Sequence, residues 1–260
     1  MNIRADIDAD VITEYAEGVA VITINRPHAR NAVTAEVAAA IADAVDTLEQ
    51  RDDLSVGILT GAGGVFCAGM DLKAFARGES PSIPGRGFGG LTESPPTKPL
   101  ITAIEGWALA GGCELALSAD IIVAARTARF GLPEVKRGLV AAAGGLLRLP
   151  KALPYPVAMR LALTGDPLDA VEAERFGLVS VLTDEGAALK TARELAATIA
   201  ANGPLAVRAT KRIVSEAAAW TDLAAFETQR AIAGPVMKSA DAREGAVAFA
   251  EKRAPVWRGV

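Results

Sequence analysis

The sequence predicts an α/β protein in which strands feed into helices. Three observations carry that prediction. Five short runs are apolar and partly β-branched: VAVITI (19–24), SVGILT (55–60), LITAI (100–104), IIVAA (121–125) and LVSVL (178–182). Segments with apolar residues at helical spacing fill the gaps between them. The length, 260 residues, suits one large domain, or a core domain with a smaller appendage.

Taken in order, the first strand reads as 19–24, and NRPHARNAV (25–33) makes a turn in which Pro27 limits the backbone. Thr34 is placed to N-cap a helix over about 35–49, with Val37, Ile41, Val45 and Leu48 along its buried face. The strand at 55–60 ends in GAGG, and the strand at 100–104 ends at Glu105 and Gly106. Helical patterns follow at 112–118 and 189–201. Residues 77–99 are rich in Gly and Pro and predict a long loop, either functional or mobile, or an ordered surface excursion without a role. From Pro204 onward the pattern is helical, and Trp220, Phe226 and Phe249 read as packing residues. We therefore expect a core over 1–203 and a helical C-terminal subdomain over 204–260, packed on the core or on another subunit.

Composition narrows the function. A net charge of −4 without a basic stripe argues against nucleic acid. Two cysteines, Cys67 and Cys113, do not make a disulfide framework, and they favour a reducing cytoplasm. The opening stretch MNIRADIDADVIT is charged and has no apolar signal core. No uncharged run approaches the ~18 residues that a membrane span needs. A soluble cytoplasmic protein is the expectation.

The chemistry must then come from few groups. The single histidine, His28, lies in a turn beside Pro27, so a Ser-His-Asp mechanism has little to stand on. No His or Cys cluster suggests a metal. GAGG fits neither dinucleotide nor P-loop spacing. Carboxylates remain as acid–base candidates. Glu114 sits in the apolar run ALAGGCELALSAD (108–120), just after Gly111 and Gly112. Glycines at a helix start let a ligand approach the backbone, and the first N–H groups of a helix suit an oxyanion. Position alone favours a plain helix-start acid. Glu134, in FGLPEV, could equally pair with Lys136 or Arg137 on the surface. The strand and turn between the two acids allow the chain to double back and let them face each other. In FCAGMDL (66–72), Gly69 permits an unusual backbone angle, and the Met70 N–H could be a second oxyanion donor. The plainer alternative is a strand–helix turn capped by Asp71.

These pieces together resemble the crotonase, or enoyl-CoA hydratase, superfamily. The matching stretches are NRPHARNAV, ILTGAGGVFCAGMDLKA (58–74), KPLITAIEGWALAGGCELALSADIIVA (98–124), ARFGLPEVKRGL (128–139), GGLLRLP (144–150), LTGDPLDAVEAERFGLVSVL (163–182) and EGAVAFAEKR (244–253). They run in the family's order along almost the whole chain.

The resemblance implies a spiral of ββα units with a helical C-terminal trimerisation region. The assembly would be a homotrimer or a dimer of trimers. It implies an acyl-CoA thioester ligand, with coenzyme A as part of the substrate and no separate cofactor or metal. The N–H groups of Met70 and Gly111 match the family's oxyanion hole. Glu114 and Glu134 match its two catalytic glutamates. Ala68 and the segment Met70, Asp71, Leu72 and Lys73 match positions along the CoA chain. Phe249 and Lys252 match C-terminal positions that reach CoA, across a subunit boundary in some arrangements. With both glutamates present, the expected reaction is reversible hydration of trans-2-enoyl-CoA. PGRGFGGLTE (84–93) and LPEVKRGLV (132–140) also resemble carnitinyl-CoA dehydratases. That activity and a catalytically idle acyl-CoA binder are the alternatives. Two departures stand out: LVAAAGG (139–145) replaces a Pro-Gly-type loop, and Cys67, expected to be packed, replaces a serine or alanine.

Overall fold

A computed structural model describes residues 9–260; the start of the charged opening stretch, 1–8, lies outside the described residues. The described chain opens on a hairpin of β1 (Val11–Ala16) and β2 (Val19–Ile24), turned at Glu17 and Gly18, both at positive φ. β1 was not legible as a strand because VITEYA lies at a sheet edge and shows only partial alternation. Helix α1 (Ala35–Gln50) follows, and the Thr34 side chain accepts the Val37 N–H at 3.3 Å. Its four predicted core residues are all buried.

Next come β3 (Val56–Gly61), the short α2 (Leu72–Ala76), and a small hairpin of β4 (Ser82–Ile83) and β5 (Gly87–Phe88). Then follow β6 (Leu100–Ile104), β7 (Trp107–Leu109), α3 (Gly111–Ala116), β8 (Ile121–Ala125) and β9 (Arg129–Gly131). A 3-10 turn over Pro133–Arg137 leads to α4 (Gly145–Ala152), α5 (Tyr155–Thr164), β10 (Leu168–Asp169), α6 (Ala170–Arg175) and β11 (Val181–Thr183). The chain ends with α7 (Ala188–Ala200), α8 (Pro204–Glu216), α9 (Asp222–Met237) and α10 (Ala240–Glu251).

One six-stranded sheet runs β1-β2-β3-β6-β8-β11, antiparallel only at the first pair. Its inner strands β2, β3, β6 and β8 are buried on both faces, which explains their continuous apolar runs. Val21, Ile58, Ile101, Ala103 and Val123 pack with Ala188, Ala192 and Ala196 of α7. Ile22, Ile24, Leu59, Leu100, Ile104 and Ile122 face the larger core with α1 and Phe66. The last strand starts at Val181 rather than at Leu178 as expected. The Leu178 and Val179 N–H groups both donate to Ala173 O, closing the end of α6, so the ladder can begin only beyond them.

A second layer explains how distant segments meet. After β3 the chain makes an isolated parallel bridge, Cys67 to Ala108; β7 in turn pairs Ala108 with Phe130 of β9. Each turn of the chain thus lays one strand in the large sheet, one in the smaller layer, and then begins a helix or 3-10 turn. This is the ββα spiral. Cys67, Ala108 and Phe130 are stacked in register, so the residues three or four beyond each of them fall side by side.

Residues 77–99 carry a short hairpin that packs on the core. The β4–β5 hairpin is strapped to α1 by Arg86, which donates to Asp46 at 2.7 Å and to Gly90 O at 3.0 Å. Phe88, Leu91 and Thr92 are buried. The C-terminal helices attach through Lys211, which donates to Asp120 at 2.7 Å and to Lys98 O at 3.0 Å, and through Trp257, which donates to Ala201 O at 2.8 Å. Two of the aromatics read as packing residues are not packed within the chain: Phe226 is 70% and Phe249 87% exposed. They lie on helix faces that no other element among the described residues covers.

Candidate active site

The stacked register brings the predicted residues together. Gly69 has φ +95, and a Cβ there would lie 3.1 Å from the Gly111 N and 3.0 Å from Leu109 O. Only glycine allows these two backbones so close. Ala110 holds φ 51 and ψ −128, an unfavourable conformation for a residue with a side chain, and its N–H donates to Gly131 O. That bond fixes the entry to α3. Gly111 is the first residue of α3 and has no helical acceptor for its N–H. Neither it nor the Met70 N–H finds a backbone or side-chain acceptor among the described residues. Two free donors from adjacent turns of the spiral are thereby set side by side. Phe88 packs its ring against the Gly111 Cα, where any side chain would collide with it. Gly112 approaches the Cys67 carbonyl too closely to carry a Cβ.

Glu114, one helical turn beyond Gly111, is only 3% exposed. Its Oε1 accepts the Ala143 N–H at 2.7 Å and the Gly145 N–H at 2.9 Å. Burial raises its carboxyl above the usual range, the Gly145 bond opposes this, and the nearby Glu134 charge adds to the rise. Glu134 leads the 3-10 turn past β9, and its buried Oε2 has no partner. Burial raises this carboxyl too. The surface pairing with Lys136 does not form, because Lys136 donates to Asp166 at 2.6 Å. The two acids therefore share one partly dry environment, and each carboxyl is held above the usual carboxylate range by burial.

Beside Glu134 opens an apolar cavity of about 380 Å³, walled by the 3-10 turn, α4 and α5, with Leu132, Val140, Ala141, Leu146, Ala158 and Met159 among its lining. Ala68 and Met70 are half-buried at the other approach, and Leu72 and Lys73 are exposed. Asp71 is committed locally: its Oδ1 accepts the Lys73 and Ala74 N–H groups at 3.0 and 3.1 Å, and its Oδ2 pairs with Arg26 at 3.2 Å. Phe249 and Lys252 are exposed on and just past α10, which packs on α9 and holds the chain end through Asp241. The protomer does not gather them into the Met70–Gly111 site. His28 is exposed, and both cysteines are fully buried thiols, Cys67 pushed up by burial to about 12.

Sequence reasoning missed the Ala143 and Gly145 donors, the Phe88 buttress and the strained Ala110. The glycines of LVAAAGG were the available signal for the first of these. The other two are set by contacts between segments far apart in sequence.

The enoyl-CoA hydratase/isomerase family model matches residues 14–260. The chain is 42% identical over 257 residues to enoyl-CoA hydratase EchA19 of Mycobacterium tuberculosis, covering 95% of each chain. It is 44% identical over 250 residues to the carnitinyl-CoA dehydratase of Salmonella typhi, covering 92% of this chain and 94% of that one. The crystal structure of enoyl-CoA hydratase EchA1 from Mycobacterium marinum superposes with a TM-score of 0.95 at 60% identity, covering 96% of this chain and 99% of that chain. This chain belongs to the enoyl-CoA hydratase/isomerase family, with the crotonase fold.

Proposed function

We propose that the protein is an enoyl-CoA hydratase that adds water reversibly to a trans-2-enoyl-CoA to give the 3-hydroxyacyl-CoA. The observation that carries this reading is a coupled pair of glutamates, Glu114 buried and Glu134 half-buried, on the same turns of the spiral as two N–H donors that find no acceptor among the described residues. In the proposed reaction the thioester carbonyl accepts from the Met70 and Gly111 N–H groups. As the water oxygen bonds to C3, negative charge passes through the conjugated system to the thioester oxygen, where those donors are strongest. Glu114 orients the water and takes its proton. Glu134 delivers a proton to C2, so H and OH add across the double bond and the two acids exchange charge states. Coenzyme A is carried by the substrate, and no separate cofactor enters the proposal.

The acyl chain is placed in the apolar cavity beside Glu134. Its wall holds one aromatic ring, Tyr155, and no carboxylate other than Glu134. A trimethylammonium group favours an aromatic cage or a free counter-ion. The lining therefore supports an uncharged acyl chain over a carnitinyl group.

Residues Ala68 and Met70 to Lys73 are proposed to follow the CoA chain. Phe249 and Lys252 are proposed to serve a neighbouring protomer's CoA in a homotrimer or dimer of trimers, with the helical subdomain beginning at 204. No described helix is long and apolar enough to cross a membrane, and a cytoplasmic location is part of the proposal. The test is loss of the enoyl-thioester absorbance with crotonyl-CoA, longer enoyl-CoAs and crotonobetainyl-CoA. Hydration of the uncharged series with little turnover of crotonobetainyl-CoA is expected. The reverse preference would favour the dehydratase, and CoA-thioester binding without turnover would leave an idle binder.

A further inference from the structure

Arg148 has no part in the chemistry above, yet its position ties the site together. It lies on α4, half-buried, beside the turn that holds Glu114. Its Nη2 donates to Thr92 O at 2.6 Å, and this bond joins α4 to the Gly/Pro-rich segment. Its backbone N–H donates to Gly144 O at 3.0 Å, and Gly144 sits at φ +96, a conformation that favours glycine. Gly144 is flanked by the two residues, Ala143 and Gly145, whose N–H groups donate to Glu114 Oε1. Arg148 therefore ties the tight turn that presents both donors to the Gly/Pro-rich segment. No direct ion pair closes between Arg148 and Glu114 among the described residues.

We propose that Arg148 is a positioning residue for Glu114: its side chain anchors the Gly144 turn that grips the carboxylate, and it sets a half-buried cation on the helix that this turn begins. The inference rests on the hydratase reading for its catalytic meaning, while the charge effect stands on its own. The charges facing Glu114 are few. Glu134 comes from the 3-10 turn and Arg148 from α4, while β7 brings none and the Cys113 thiol within α3 is neutral. Glu134 opposes ionisation of Glu114, and Arg148 favours it. Loss of this half-buried cation is therefore expected to raise the Glu114 midpoint, by about one unit at the low end of what a nearby opposite charge does.

The experiment uses the full chain with Arg148→Gln, Arg148→Met and Arg148→Lys. The Glu114 carboxyl is titrated by infrared difference against the matching Glu114→Gln protein in each background. The expected result is a midpoint about one pH unit higher in the two neutral variants and near wild type in Arg148→Lys. In parallel, the acid limb of kcat/KM moves up with the midpoint. At a pH below that limb turnover falls roughly tenfold, while KM changes far less. A folded neutral variant with an unmoved midpoint overturns the proposal. So does an Arg148→Lys protein shifted as far as Arg148→Gln, because charge is then not the agent. If neither neutral variant folds, Arg148→Lys decides: a retained midpoint supports the proposal and a displaced one overturns it. Absence of turnover in the wild type would sink the hydratase reading, and the infrared midpoint would still decide the role of Arg148.

Discussion

Glu114 shows what the site costs at the scale of one residue. Its carboxyl is buried and raised, so the folded chain binds this proton more tightly than the unfolded chain. The stability it contributes is present below the ordinary value of 4.5 and is lost as pH rises through the folded value. Glu114→Gln is neutral at every pH and can still accept from Ala143 and Gly145. We expect it to melt higher than wild type at about pH 8, with the advantage fading as pH falls towards the unfolded-state value. Thermal melts across this range check the sign; a variant that melts lower at the alkaline end contradicts it. The same substitution, and separately Glu134→Gln, should lower kcat at least ~100-fold while acyl-CoA binding survives. Near-normal turnover in either would remove that residue from the mechanism. Met70→Pro deletes one proposed oxyanion donor and should cost roughly 3 kcal/mol of transition-state stabilisation. A variant shown to be folded by circular dichroism, yet with normal kcat, would exclude Met70.

Among the elements, the β4–β5 hairpin and the start of α3 behave as one unit. Phe88 fills the space that a side chain at Gly111 would need, and the hairpin is strapped on one side by Arg86 and on the other by Arg148. Gly111→Ala should therefore overpack the contact and destabilise by about 1–3 kcal/mol. Phe88→Ala alone opens a cavity and should also destabilise, by ~3 kcal/mol. Together the two changes should cost clearly less than their sum, because the new methyl enters the vacated space. Denaturant melts of the four proteins measure this coupling, and strict additivity would mean that the ring does not buttress the hole.

For the whole molecule, one notable feature is an exposed apolar face on the terminal helices. Leu223 is 98% exposed, and Phe226 lies one turn further along the same face of α9. A single chain rarely leaves such a face uncovered, and a second copy is the occupant proposed here. Leu223→Asp with Phe226→Asp should sediment as a smaller species than wild type; an unchanged coefficient would remove this face from the interface. Lys252 makes no ion pair among the described residues. If it meets CoA phosphate on a neighbour, Lys252→Ala should raise KM roughly fivefold, less so at high salt, with little change in kcat. An equal loss with a dephospho-CoA thioester would show that it does not touch the 3′-phosphate.

The sequence alone determined the α/β class, because strands buried on both faces must be continuously apolar and α1 carries its own cap and periodic face. It also offered Met70, Gly111, Glu114 and Glu134 as candidates, although position alone left Glu114 as a plain helix-start acid and only the resemblance to the crotonase superfamily gave the four their expected roles. The short strands β4, β5, β7, β9 and β10 escaped, because two- and three-residue strands are defined by their partners rather than by their own pattern. Tertiary structure decided the rest. The register of Cys67, Ala108 and Phe130 placed four separated residues side by side. The approach of Ala143 and Gly145 gave Glu114 its donors, and burial gave both acids their raised carboxyls. Each of these depends on contacts between segments tens of residues apart, and the free energy that holds them resides in the packing between segments.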